Sequence, residues 1–153
     1  MNNTDLDNLL TQLDKHRKQD ETIVFTYGCF DILHRGHVTY LQAARNLGDL
    51  LVIGVNTDAS GKRLKGEGRP INNEDDRAFI LQRLACVDYV IKFGEDTPHE
   101  LLSQIRPDIL VKGGDYKLEE VVGREFAQQV VLIDFVDGYS TTKTIQKMKE
   151  IEN

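Results

Sequence analysis

The sequence has little cysteine, no long apolar run and no excess of positive charge, and each shortage removes a class of protein. Its two cysteines, Cys29 and Cys86, offer neither C-x-x-C spacing nor a disulfide framework, which suits a reducing compartment. No apolar run approaches the ~18 residues of a membrane span, and residues 1–20 are too polar for a secretory signal. The expected location is cytoplasmic, with no membrane partner. A formal charge of −6 argues against a general nucleic-acid binder, which is usually basic. What is present is ordinary for a globular chain: 40% apolar and 29% charged residues in a length of 153, enough for one compact domain spanning residues 1–153.

Apolar periodicity divides the chain into alternating elements. Leu6, Leu9, Leu10 and Leu13 share one helical face, so residues 4–18 are expected to form an amphipathic helix lying as a lid on a core of residues 22–151. Short β-branched or apolar runs predict strands at 22–26, 50–55, 89–93, 109–111 and 130–133. Helical patterns fall between them at 38–47, 73–84, 98–105 and 123–128, with a last one at 140–151. This alternation predicts a parallel sheet covered on both faces. Residues 57–72 are the one long stretch read as structureless, and a loop of that length in a compact domain is usually functional.

In such a sheet the ligand sits beyond the carboxyl ends of the strands, where strand order reverses. The unusual residues of this chain fall at those ends. Tyr27-Gly-Cys-Phe-Asp-Ile-Leu-His-Arg-Gly-His-Val38 follows the first expected strand, Asn56-Thr-Asp58 and a basic loop follow the second, Lys112-Gly-Gly-Asp115 the fourth, and Asp137-Gly-Tyr-Ser-Thr-Thr142 the fifth. His34 and His37 flank Gly36 at the start of a helix, where unpaired N–H groups and the helix dipole favour an anion. A small phosphate is the first ligand to suspect.

Each feature has a plainer reading beside the functional one. The histidines could be hydrogen-bonded turn residues, or zinc ligands; zinc would need a third protein ligand, and His16 and His99 lie at exposed helix ends. Lys62-Arg-Leu-Lys-Gly-Glu-Gly-Arg69 could be a solvated loop, or a glycine-hinged closing loop whose Lys65 neutralises phosphate. Ser140, Thr141 and Thr142 could simply cap a helix, or supply hydroxyls to a second phosphate site. Gly113-Gly114 could be a plain turn, or a backbone that a base or ribose approaches closely.

Taken together the motifs are specific. G-C-F-D-x-x-H-x-G-H at residues 28–37, with Tyr139-Ser-Thr-Thr142, resembles the cytidylyltransferase-like nucleotidyltransferase superfamily. Asn56-Thr-Asp-Ala-Ser60, Arg63-Leu-Lys-Gly-Glu67, Arg69-Pro70, Val111-Lys-Gly-Gly-Asp-Tyr116 and Val122-Gly-Arg-Glu125 resemble one branch of it, D-glycero-β-D-manno-heptose 1-phosphate adenylyltransferase. That activity forms the C-terminal half of the bifunctional heptose kinase/adenylyltransferase of lipopolysaccharide synthesis, or a stand-alone equivalent. The resemblance runs over residues 23–145.

It implies a Rossmann-like, doubly wound α/β sheet of about five parallel strands, and transfer of AMP from ATP to a sugar 1-phosphate with release of pyrophosphate. Catalysis would fall to His34, His37 and Lys65. The nucleotide would contact Tyr27, Gly28, Cys29, Phe30, Asp31, Gly36, Gly113, Gly114, Asp137, Gly138, Ser140, Thr141 and Thr142. Asn56, Asp58, Arg69 and Arg77 are acceptor candidates, with Arg77 equally readable as a helix ion-pair residue among Glu74, Asp75 and Asp76. Mg²⁺ would arrive on ATP rather than on a protein site. A separate sugar kinase would supply the acceptor, and a homodimer is plausible. Alternatives are a cytidylyltransferase using glycerol 3-phosphate or a related alcohol phosphate, and a nucleotide-binding regulatory module without turnover.

Overall fold

The computed structural model describes residues 3–114 and 116–152; Asp115 of the Lys112-Gly-Gly-Asp115 motif lies outside them. Five strands, β1 (Ile23–Gly28), β2 (Leu50–Asn56), β3 (Tyr89–Phe93), β4 (Ile109–Gly113) and β5 (Gln129–Ile133), form one sheet in the order β3-β2-β1-β4-β5. Every pairing is parallel, with Ile23 opposite Leu50 and Val24 opposite Ile109. The chain builds outward from β1 through β2 to β3, then crosses back to place β4 on the other side of β1. Strand order therefore reverses between β1 and β4, and a crevice opens at their carboxyl ends.

Side-chain alternation divides the core into two layers. On one face Ile23, Phe25, Leu50, Val52, Ile91, Phe93 and Leu110 meet Leu6, Leu9 and Leu13 of α1 (Asn3–Lys18) and Leu101, Leu102 and Ile105 of α5 (His99–Ile105). On the other, Val24, Leu51, Ile53, Val55 and Val111 meet Tyr40, Leu41 and Ala44 of α2 (Arg35–Arg45) and Leu81 of α4 (Glu74–Gln82). Every residue of β2 is buried, as expected of a strand covered on both faces. The expected N-terminal helix does more than cover the core. Each of its three buried leucines contributes about 1.5–3 kcal/mol of burial, and His16 Nε2 lies 2.8 Å from the Tyr89 hydroxyl.

Two expectations need correction. Residues 57–72 are not structureless: α3 (Asp58–Lys65) occupies the first half. Thr57 caps it by accepting from the Ser60 amide at 3.4 Å, and Gly66 ends it with φ 96°. The helix was hidden because only Ser60 and Gly61 of it are buried, so no apolar stripe marks it. The helix expected at 123–128 is instead a single short 3₁₀ turn, Arg124–Phe126, preceded by another at Leu118–Glu120. Gly123 precedes the second turn at φ 88°, packed so closely on Leu102 that a Cβ would come within 2.3 Å of its Cδ1. The last helix, α6 (Thr141–Glu152), lies where the sequence puts it.

Candidate active site

The site begins with a turn that has little conformational freedom. Between β1 and α2, Phe30 and Ile32 hold φ values of 50° and 46°, a region costly for a β-branched residue. Three contacts fix this turn. Asp31, 3% exposed, accepts the amides of Ile71 and Asn72 at 2.6 and 2.9 Å. Its carbonyl accepts the Thr141 hydroxyl at 2.6 Å, and the Cys29 carbonyl accepts Arg77 Nη1 at 2.7 Å. One carboxylate thereby joins the turn to the segment after α3, and its own backbone joins the turn to the start of α6.

The two histidines cap α2 for one another. His34 is the N-cap residue and its Nδ1 accepts the His37 amide at 3.4 Å, while His37 Nδ1 accepts the His34 amide at 3.3 Å. Their rings stack at 3.9 Å between centroids. A neutral imidazole that accepts at Nδ1 carries its proton on Nε2, so in both rings Nε2 is the donor. Burial lowers the pKa of each below 6.5; His37 falls to about 4 through burial first and the neighbouring His34 second, with Asp31 opposing. Both are therefore neutral donors at neutral pH. His34 Nε2 is buried with no hydrogen-bond partner among the described residues, an orphan donor of the kind a ligand satisfies. Gly36 makes the stacking possible, because a Cβ there would lie 2.9 Å from both His34 Cε1 and Tyr139 Cβ.

These groups open onto a cleft of about 460 Å³ at the β1/β4 switch point, within the range of small-ligand sites. The expected residues Tyr27, Gly28, Cys29, Phe30, Asp31, His34, Gly36, His37, Lys65, Arg69, Gly113, Gly114, Ser140, Thr141 and Thr142 all line it. The basic segment sorts itself by ion pairing. Lys62 lies 3.3 Å from Glu67 and Arg63 2.9 Å from Asp96, leaving Lys65 and Arg69 at the cleft. Arg69 Nε stands 3.7 Å from Asp31 and is buried without a hydrogen bond among the described residues. Two of the three hydroxyls at α6 also carry structure. Ser140 accepts the Lys143 amide at 3.0 Å and Thr141 donates to Asp31, while the Thr141 and Thr142 amides precede the first intrahelical bond and so face outward.

Asn56, Asp58 and Arg77 are placed elsewhere. Arg77 is 1% exposed and its guanidinium is consumed by the Asn72 carbonyl at 2.9 Å, the Cys29 carbonyl at 2.7 Å and Asp58 Oδ1 at 2.8 Å. It acts as a buried latch, and its partner is Asp58 rather than its helix neighbours. Asn56, 4% exposed, donates to the Ser60 hydroxyl at 2.9 Å and seats α3. Asp137 and Gly138 are exposed and lie off the cleft lining.

Tyr40, Lys112, Tyr116, Phe135, Val136 and Tyr139 also line the cleft; none was given a site role from sequence, although Lys112, Tyr116 and Tyr139 stand within the motifs quoted. Lys112 was the most visible signal, a cation ending an apolar strand. Among the described residues no three His, Cys, Asp or Glu side chains gather to hold a metal ion. A larger groove of about 670 Å³ runs along β3 between α1 and α4, but its cation, Lys92, is already paired with Glu74 and Asp75.

The model of the cytidylyltransferase-like family matches residues 25–147, from the middle of β1 into α6. The chain belongs to the cytidylyltransferase-like family. Within that assignment, it is 60% identical to the bifunctional protein HldE of Nitratiruptor sp. over 92% of its own length and 30% of the relative's. It is 57% identical to the bifunctional protein HldE of Campylobacter concisus over 97% of its length and 30% of the relative's. The cytidylyltransferase-like chain thus spans about a third of the length of these curated relatives. A lipopolysaccharide core biosynthesis protein from Thermoplasma volcanium superposes with a TM-score of 0.64 at 29% identity, covering 78% of this chain and 99% of that one. Pantothenate synthetase from Thermus thermophilus, at 15% identity and a TM-score of 0.54, shares the fold alone. No helix among the described residues is long and apolar enough to cross a membrane.

Proposed function

We propose that this chain transfers AMP from ATP to a sugar 1-phosphate, D-glycero-β-D-manno-heptose 1-phosphate, forming ADP-heptose and pyrophosphate. The observation that carries the reading is the reciprocal histidine cap. It leaves two Nε2–H groups as donors on residues that line a cleft shared with Lys65 and the start of α6. The HldE relatives and the lipopolysaccharide core biosynthesis neighbour support the choice of sugar.

The α-phosphate sits against His34 and His37, and the β and γ phosphates take the Thr141 and Thr142 amides and the remaining hydroxyl capacity of Ser140 and Thr142. An oxygen of the acceptor phosphate attacks the α-phosphorus in line, and the bond to pyrophosphate breaks as the new P–O bond forms. The attacking oxygen is already ionised at neutral pH, so no general base is needed. Position and charge stabilisation carry the rate. Neutral imidazoles suit the task because their N–H groups strengthen as charge builds on the α-phosphoryl oxygens, without a proton having to move. Lys65 adds a full positive charge from the end of α3. Mg²⁺ enters as part of MgATP and offsets phosphate charge. The acceptor is made by a separate sugar kinase activity.

Pyrophosphate release, measured with ATP and CTP against a panel of sugar 1-phosphates and glycerol 3-phosphate, tests the reading. Turnover with ATP and the heptose phosphate is expected. Preference for CTP with glycerol 3-phosphate, or ATP binding without pyrophosphate release on any acceptor, would overturn it.

A further inference from the structure

Lys112 sits in the cleft but belongs to neither the histidine turn nor the start of α6. Its ammonium lies 4.4 Å from the centre of the Tyr27 ring and 4.8 Å from that of Tyr116. No carboxylate among the described residues pairs with it. Burial, and then the charge of Lys65, lowers its pKa, as expected when two ammonium groups face one space without an anion between them. The aromatic faces hold the cation in place without neutralising it. A protein keeps such a pair of convergent cations stable most readily by placing an anion between them.

The strands decide which anion. Along β4, Leu110 enters the core layer under α1 and α5, and Val111 the layer under α2 and α4. Lys112 therefore returns to the α1/α5 side. Along β1 the same alternation sends Thr26 to Tyr40 of α2, through a 2.6 Å hydrogen bond, and packs Tyr27 on the α1/α5 layer. The histidines belong to the other side: His37 meets the Phe30 ring at 5.8 Å and His34 the Tyr139 ring at 6.0 Å, next to the start of α6. If pyrophosphate leaves toward α6, an in-line nucleophile approaches from the opposite direction, the direction in which Lys112 stands.

We propose that Lys112, caged between Tyr27 and Tyr116, binds the phosphate of the acceptor and thereby restricts the enzyme to phosphorylated acceptors. This assignment rests on the adenylyl transfer proposed above. Two anions must be brought together for that reaction, and the acceptor-side cation offsets their repulsion while Lys65 bridges toward the nucleotide.

The test separates the two substrates. In steady-state pyrophosphate assays, Lys112→Met is expected to raise the KM for heptose 1-phosphate about 10–100-fold, the loss of one charge-assisted contact, with the KM for ATP within about twofold. Lys112→Arg recovers part of the loss. Calorimetric titration of heptose 1-phosphate, in the presence of a non-hydrolysable ATP analogue, should show the same weakening. Thermal melts of each variant check the fold. An unchanged acceptor KM and affinity in Lys112→Met, or a loss confined to ATP, overturns the assignment while leaving the reaction intact. Wild-type protein that neither binds nor turns over a sugar phosphate overturns both, and that result shows in the wild type alone.

Discussion

Replacing Arg77 with lysine separates a latch from a ligand-binding residue. The native guanidinium makes three hydrogen bonds of 2.7–2.9 Å to the Cys29 and Asn72 carbonyls and to Asp58, at 1% exposure. Lysine keeps the charge but lacks the planar fork. It can follow one or at most two of these acceptors from so buried a position. Each buried carbonyl left without a donor costs about 1–3 kcal/mol. With partial relaxation, Arg77→Lys should therefore lose about 2–4 kcal/mol of stability, and the Phe30–Ile32 turn should lose one of its three restraints. Urea denaturation followed by far-UV circular dichroism measures the first effect. The KM values for ATP and acceptor, taken at a temperature where the variant remains folded, measure the second. Both should rise together, because the turn serves the whole cleft. A variant as stable as the wild type, with only its acceptor KM raised tenfold, would show that Arg77 grips substrate and that the latch is wrong.

Other expectations come from the same geometry. Gly36→Ala places a methyl group 2.9 Å from His34 Cε1 and Tyr139 Cβ; overpacking of this kind costs about 1–3 kcal/mol and should rotate the imidazole, so kcat falls at least tenfold while the melting temperature drops by about 2–12 °C. His37 contributes a pH dependence of known sign. Its folded pKa of about 4 lies below 6.5, so the unfolded chain binds the extra proton, and stability present above pH 6.5 is lost as pH falls toward 4. The full shift corresponds to a ceiling of about 3 kcal/mol, which solvent at the partly open ring reduces to roughly 1–2 kcal/mol. Urea midpoints measured from pH 7.5 to 4.5 should slope less in His37→Asn than in wild type, and parallel slopes would refute the buried neutral imidazole.

Sequence and structure agree where apolar pattern speaks. The β-branched runs mark all five strands, and Gly36 between two histidines marks the start of α2. Motifs at four strand ends were enough to place the cleft, because a parallel sheet puts those ends on one edge. Pattern falls silent where local segments bury nothing apolar, as in α3, or where one contact decides the backbone, as Leu102 does beneath Gly123. Arg77 shows a different limit. Its ion-pair reading had the right chemistry and the wrong partners, since the Cys29 carbonyl and Asp58 are 48 and 19 residues distant in sequence. The Asp31 carboxylate orders the histidine turn by accepting the Ile71 and Asn72 amides, partners that sequence does not reveal because the contact is made only once α3 has brought that segment back to β1.

The reciprocal cap on α2 ties each imidazole to main chain rather than to the other ring. Each Nδ1 accepts the other residue's backbone amide, so alanine at either position removes a stacked ring but leaves the survivor's hydrogen bond, and with it the tautomer that puts the proton on Nε2. The surviving imidazole therefore keeps its aim, and the losses in kcat from His34→Ala and His37→Ala should be close to additive in the double variant. A double variant scarcely slower than the worse single one would mean that the stacked rings, and not the amides, hold the aim.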